Sequence, residues 1–338
     1  MTDSVFISQG LATRKHASTW YLFLALLVFV TLFPFLLVPV VAHAVPEGSP
    51  AIYFYNLIIF LSTNFHVAST GWFFTDREMH SHFRSHPLRY VIVPGVLVLA
   101  NGAAFQLLGP TVSDYIALAF IAWLLWHYQK QNIGLLSFVA AGTDGTSLSR
   151  WERHTLTLTA FAGIAGIFSV AQVAPATLSA EFARLHQIGS IVYLLVPIAL
   201  AIALIKGPAL RTNSLRFFFL LMGASFYLPV FIFSDPVSAI TGCATAHGLQ
   251  YLVFMGAVSG SKQTSFRSIL TMLAIATGGA LILDHASAAA NWQFASAMKG
   301  LFIGVVMAHF VLDAGIWRLR EAFQRGYIRK KFYFVFDR

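Results

Sequence analysis

A chain of 338 residues with 57% hydrophobic residues, only 10% charged residues and a mean hydropathy of +0.72 is too apolar for an ordinary soluble domain, in which about a quarter of the residues are charged. The composition therefore predicts a polytopic membrane protein. A single cysteine, Cys243, excludes an internal disulfide and a Cys-x-x-Cys site for zinc or covalently attached haem. The net charge of +9 does not indicate a nucleic-acid partner, because the basic residues follow the membrane topology described below.

Ten apolar stretches follow a polar leader over residues 1–17, and we expect each to cross the membrane as a helix. The first stretch is too long for the apolar part of a cleavable signal peptide. We expect a single all-α transmembrane domain over residues 1–338. The expected spans are 20–45, 52–74, 88–108, 114–139, 154–174, 185–205, 214–234, 237–259, 266–284 and 294–317.

Twenty of the 22 Lys and Arg residues fall on one side of this ten-span topology, and only Arg184 and Lys299 fall on the other. Cytoplasmic segments of membrane proteins carry the excess of Lys and Arg. We therefore expect both termini to be cytoplasmic, in a multi-pass protein of a bacterial inner membrane. The tail, 318–338, interleaves basic and aromatic residues, which favours an anchor at the headgroups of membrane lipids.

Four histidines, each on a different expected span, lie at a similar depth. His66, His127, His247 and His309 belong to the second, fourth, eighth and tenth spans, all of which run from outside to inside. Each lies roughly 8 to 13 residues before the cytoplasmic end of its span, which is about 12–20 Å from that surface. Ionisable residues at such depth face the interior of the bundle and mark functional sites. The pattern favours a cluster of metal ligands, and the alternative is that each histidine makes an ordinary hydrogen bond between helices.

Polar side chains one helical turn from these histidines are candidate partners. Asp313 follows His309 by four residues, so the two share a helix face. We expect Asp313 either to bind the metal directly or to orient the imidazole, and we take it as the candidate catalytic residue. Gln131 follows His127 by four residues, and Gln250 lies one turn after the histidine of the eighth span. Both amides are candidates to fix an imidazole tautomer, or they make ordinary hydrogen bonds between helices.

The loop after the second span, DREMHSHFRSHP, contains three more histidines. His82 and His86 are spaced four residues apart, which places two imidazoles on one helix face toward a single metal. The spacing also resembles one histidine box of the membrane desaturases and hydroxylases. The alternative is a solvated, mildly basic cytoplasmic loop in which Pro87 limits the helix.

Several neutral imidazoles with one carboxylate suit iron, copper or zinc rather than the oxygen-seeking Mg²⁺ or Ca²⁺. A redox metal inside the bilayer is reached by lipophilic substrates and by O₂. We therefore expect an oxygenase with one or two non-haem iron ions that acts on a carotenoid- or lipid-like substrate, with a redox partner left open. The alternatives are an electron carrier with two histidines bound to haem b, a proton-coupled transporter with histidine relays, and a structural membrane subunit.

Two features of the chain resemble the microbial membrane β-carotene-cleaving dioxygenases, the bacterio-opsin-related protein family. One is a transmembrane histidine with an aspartate one turn later near the C-terminus, His309 and Asp313. The other is the distribution of single histidines, one per helix. The resemblance implies a helical membrane enzyme with histidine-bound non-haem iron that cleaves a carotenoid to retinal with O₂. It also implies that His66, His127, His247 and His309 are the iron ligands.

Overall fold

The computed structural model describes residues 2–45, 49–168, 179–233, 236–261, 266–287 and 295–336. Within these ranges the regular structure is helical and contains no strand, as the composition predicts. The α-helices are α1 Thr2–Ala44, α2 Pro50–Phe60, α3 His66–Ser69, α4 Arg77–Ser85, α5 Val93–Leu107, α6 Gly109–Thr143, α7 Arg150–Ile167, α8 Ser179–Tyr193, α9 Val196–Lys206, α10 Pro208–Thr212, α11 Ser214–Ser225, α12 Pro229–Ile232, α13 Pro236–Ser259, α14 Phe266–Ser287, α15 Ala295–Ile316, α16 Ala322–Lys331 and α17 Tyr333–Phe336.

Seven helical runs in the described residues are long and apolar enough to cross a membrane. Each coincides with one of the expected spans, so the prediction of long apolar helices is confirmed at these seven places. The seven runs are Ala17–Val41, Pro50–Phe74, Leu88–Leu107, Gly109–Thr143, Ala180–Lys206, Phe266–Ala286 and Ala295–Ile316.

The three other expected spans fall on helices outside this set of seven. The helix α7 has 18 residues and begins with a charged turn, and residues 169–174 of the span expected there lie outside the described residues. The helix α11 ends after 12 residues. The helix α13 has 24 residues, enough to cross a hydrocarbon core about 30 Å thick, but it carries the polar residues His247 and Gln250. The total of ten spans therefore stays a prediction.

The helix that carries His309, α15, lies against α5 through two glycines four residues apart, Gly300 and Gly304. A side-chain carbon at Gly304 would lie 2.6 Å from the Cα atom of Val98, so only hydrogen fits there. Small residues at this spacing let the backbones of membrane helices approach closely. This contact fixes how α15 is placed within the bundle.

A buried ion cluster ties together α6, α7 and α11. Arg216, at the start of α11, is 1% exposed. Its Nε atom lies 2.7 Å from Glu152 Oε1, and its Nη1 atom lies 2.9 Å from Asp144 Oδ2. Glu152 also accepts a hydrogen bond from the backbone N–H of Ser149 and so completes the capping box that begins α7. The cluster holds the end of α6 against its two neighbours.

The C-terminal tail folds back onto the helices. Phe332 is fully buried, and its ring centroid lies 5.9 Å from that of Phe23 and 4.9 Å from that of Phe138. Lys330 and Lys331 bind Glu78 and Asp76 of the α4 region at 3.0 and 3.1 Å. The aromatic residues of the tail therefore pack within the protein, and the expected contact with lipid headgroups stays a prediction.

Candidate metal centre

The four histidines that the sequence singles out lie together inside the bundle. His66 lies where a π-helical turn, Leu61–Phe65, passes into α3, while His127, His247 and His309 lie on α6, α13 and α15. All four are buried. The ring centroid distances are 5.2 Å for His66–His247, 4.9 Å for His247–His127, 5.4 Å for His127–His309 and 5.1 Å for His309–His66. Each imidazole therefore contacts two others in a closed ring of four.

The nitrogen atoms of this ring are close to one another and largely without partners. The ligand atoms of His66, His247 and His309 lie within 4.8 Å of one another, as do those of His127, His309 and Asp313. Within the part of the chain that the structure describes, both ring nitrogens of His66 and His247, and the Nε2 atoms of the other two histidines, have no hydrogen-bond partner. Each such buried group costs about 1–3 kcal/mol. These nitrogens are therefore not explained as ordinary hydrogen bonds between helices, and a bound cation would satisfy them together.

A glycine brings His247 next to His66. Gly248 faces the π-helical turn, and a side-chain carbon added there would overlap the carbonyl oxygen of Ser62 and lie 2.7 Å from its Cα atom. Since both of these atoms belong to the main chain, no side chain can move aside to make room. The absence of a side chain at Gly248 lets α13 approach the turn closely enough for the two imidazoles to touch.

Two aromatic side chains cover the outer faces of the ring. Tyr128 stacks on His247 with a centroid distance of 4.3 Å and an interplanar angle of 28°. Phe310 stacks on His127 at 4.3 Å and 24°. These contacts fix the planes of two imidazoles and keep water from them.

Asp313 faces the same centre. Its Oδ2 atom lies 3.4 Å from His309 Nε2 and 3.8 Å from His127 Nε2, and its Oδ1 atom accepts a hydrogen bond from the Tyr251 hydroxyl at 2.9 Å. A buried carboxylate needs a compensating positive charge or hydrogen bonds. Two imidazoles and one carboxylate form the donor set of many non-haem iron sites. Asp313 is therefore placed to bind an ion directly, and its catalytic role stays a prediction.

Thr70 and Tyr251 belong to the site although the sequence analysis missed them. The Thr70 Oγ1 atom lies 2.8 Å from His309 Nδ1 and 2.8 Å from the Tyr251 hydroxyl oxygen. The signal was present in the sequence, since each of the four histidines is followed four residues later by a polar side chain. Those four polar residues are Thr70, Gln131, Tyr251 and Asp313.

Among the described residues neither glutamine makes a hydrogen bond to an imidazole nitrogen, which corrects the expectation that they fix a tautomer. Gln131 donates to the backbone carbonyl of His247 at 2.9 Å and to Gln250 Oε1 at 2.8 Å. Gln250 in turn donates to Thr31 Oγ1 at 2.7 Å. Both amides make hydrogen bonds between helices, which was the other interpretation of their positions.

His82 and His86 lie apart from the four-histidine ring, and the structure does not bring them a third ligand. Their ring centroids are 4.4 Å apart, and His82 stacks on Phe323 at 4.0 Å. Among the described residues, no group of three potential ligands includes either one, whereas protein zinc sites use three or four. Partial burial, and then the neighbouring His86 and Arg89, lower the pKa of His82. This pair is therefore a surface contact rather than a metal site built by this chain alone.

Comparisons with known proteins add nothing to this geometry, because no family model, no curated protein and no solved structure matches the chain.

Proposed function

We propose that this chain is an integral-membrane metalloenzyme that holds one non-haem iron ion with ligands drawn from His66, His127, His247, His309 and Asp313 and oxidises a lipophilic substrate with O₂. The observation that carries the proposal is the closed ring of four buried imidazoles with unpartnered nitrogens. Copper and zinc fit the same donor set. Iron is our choice because the protein resembles, in these residues, a family of iron-dependent dioxygenases.

The arrangement favours a single small ion. Both groups of potential ligands contain His309, and neighbouring imidazoles of the two groups are in contact, so we propose one centre rather than two. A haem bound by two neighbouring imidazoles would need its whole macrocycle between them, and neighbouring centroids 4.9 to 5.4 Å apart do not leave that space. When bound, iron supplies the activation of O₂. The protein residues hold the ion in place, fix the planes of the imidazoles and exclude water.

The surroundings of the site suit a substrate that enters from the bilayer. Of the five potential ligands, none is more than 8% exposed, so bulk water does not reach them freely. Phe310 covers His127, and the rings of Phe120 and Trp123 lie 6.2 and 5.7 Å from Phe310. This apolar, aromatic wall favours a long hydrocarbon over a polar metabolite. A carotenoid is the substrate that the family resemblance implies.

We also propose the full topology of ten spans with both termini in the cytoplasm of a bacterial cell and the helices in its inner membrane. The helices α7, α11 and α13 lie where the three remaining spans are expected, and 20 of the 22 Lys and Arg residues lie on the cytoplasmic side of such a topology. The only natural cysteine, Cys243, is buried. Thiol reagents should therefore label it weakly, and the labelling of an introduced cysteine can be measured against a low background. Arg325→Cys and Lys299→Cys should react with impermeant thiol reagents from opposite sides of the membrane.

Metal content and O₂ consumption of purified protein test the proposed function. The wild type should hold iron and consume O₂ when β-carotene in detergent is added, and His309→Ala should lose both properties while remaining folded. His186→Ala is the matched control, because His186 contacts the backbone carbonyl of Gly166 and lies outside the ring. Iron content unchanged in His309→Ala would remove His309 from the ligand set, and a Soret absorption band would show haem instead.

A further inference from the structure

Two hydroxyl groups connect Asp313 to the nitrogen of His309 that faces away from the centre. The Tyr251 hydroxyl lies 2.9 Å from Asp313 Oδ1. The Thr70 Oγ1 atom lies 2.8 Å from the Tyr251 oxygen and 2.8 Å from His309 Nδ1. All four side chains belong to residues that are at most 5% exposed, so water does not compete for these contacts.

The chemistry of the groups sets the direction of these hydrogen bonds. The Tyr251 hydroxyl donates to Asp313 Oδ1, and each hydroxyl has one proton to donate. Thr70 must therefore donate to Tyr251. Since its one proton is used, the Thr70 oxygen must accept from His309, which places a proton on Nδ1. A neutral His309 then carries its lone pair on Nε2.

This lone pair faces the carboxyl group of Asp313. His309 Nε2 has no hydrogen-bond partner among the described residues and lies 3.4 Å from Asp313 Oδ2. Two acceptors at this distance repel each other unless a cation lies within reach of both. The chain of hydroxyls therefore sets up His309 Nε2 and Asp313 Oδ2 as a pair of ligand atoms.

We propose that Thr70 and Tyr251 are positioning residues that hold His309 in the Nδ1–H tautomer, so that Nε2 binds the metal. This inference rests on the proposed metal function and extends it to two residues that do not touch the ion. Partners that fix the tautomer of a ligating histidine are worth about 10- to 100-fold in metal affinity. They also act as one unit, since removing either hydroxyl breaks this connection between Asp313 and His309.

Cobalt(II) titration of the purified, metal-stripped full-length protein tests the inference, with the affinity and the visible absorption spectrum as readouts. We expect Tyr251→Phe and Thr70→Val each to weaken Co²⁺ binding by about 10- to 100-fold and to change the spectrum in the same way. The double variant should be no weaker than either single variant, because the two groups share one network. Thr70→Ser keeps the hydroxyl that Thr70→Val removes. It should therefore have the Co²⁺ affinity and the absorption spectrum of the wild type.

Tyr193→Phe is the matched control. It removes a tyrosine hydroxyl that donates to the backbone carbonyl of Ala224 at 2.9 Å, with no connection to the histidines, and it should leave Co²⁺ binding unchanged. If the wild type binds Co²⁺ and both Tyr251→Phe and Thr70→Val bind it equally well, the positioning role is wrong while the metal centre stands. The role is also wrong if Thr70→Ser is as weak as Thr70→Val. If the wild type binds no metal, the proposed function fails, and the inference fails with it.

Discussion

Replacing Gly248 with alanine tests whether the metal centre depends on the close approach of α13 to the π-helical turn. The added carbon would lie 2.7 Å from the Cα atom of Ser62, whereas ordinary contacts begin at 3.4 Å, and it would overlap the Ser62 carbonyl oxygen. The two backbones must therefore separate by about 1 Å, with an overpacking strain of about 1–3 kcal/mol.

This separation acts directly on the metal ligands. His247 is adjacent to Gly248, and His66 lies one turn after Ser62, so the displacement pulls apart two imidazoles that now touch. Ligand distances in metal sites are held to within about 0.2 Å, and a misplacement of about 1 Å can cost 10²-fold in function. We expect Gly248→Ala to bind Co²⁺ about 100-fold more weakly than the wild type, as measured by titration of the purified protein.

Gly256→Ala is the matched control on the same helix. A side-chain carbon at Gly256 meets nothing within 4 Å, so metal binding should be unchanged. The helix itself should gain up to about 1 kcal/mol from the replacement of glycine by alanine. Wild-type metal affinity in Gly248→Ala would show that the approach of α13 to the turn does not govern the centre.

Three further variants separate the roles of other ionisable residues. Asp313→Asn should weaken Co²⁺ binding by more than Tyr251→Phe does, because it removes a ligand charge at the centre, whereas Tyr251→Phe leaves that charge in place. An equal or smaller loss in the titration would leave Asp313 an orienting role only. The double variant His82→Ala/His86→Ala should retain the metal content of the wild type by elemental analysis, and a loss of metal would show a second site on the surface. Arg216→Met should lower the free energy of unfolding by about 3–5 kcal/mol, because Glu152 is left buried without its partner. The metal content per folded chain should not change in that variant, and denaturant unfolding that matches the wild type would contradict the structural role of the ion cluster.

The positions of the four histidines could be predicted from the sequence because polar residues within apolar helices are expensive and rarely placed at random. The spacing of His309 and Asp313 follows from helical periodicity alone, and the structure places both at the centre. The same periodicity indicated a site for His82 and His86, but a helix face supplies only two ligands. A third ligand must come from another element, which periodicity does not describe.

The contacts between helices could not be predicted from one sequence. Nothing in the residues around Gly248 shows that its helix meets Ser62, nor that Gln131 would bind a backbone carbonyl rather than an imidazole. The hydroxyl chain through Tyr251 joins side chains from three segments that lie far apart in the sequence. Such arrangements depend on which helices are neighbours, and that is a property of the packed bundle.

Elemental analysis of the wild-type protein decides whether the ring of imidazoles is a metal centre. The protein is purified from the membrane without added metal, and its metal content is measured. We expect close to one transition-metal ion per chain, with iron as the main element. Protein that is folded and monodisperse, yet contains no transition metal and takes up none when Fe²⁺ or Co²⁺ is supplied, would contradict the proposal.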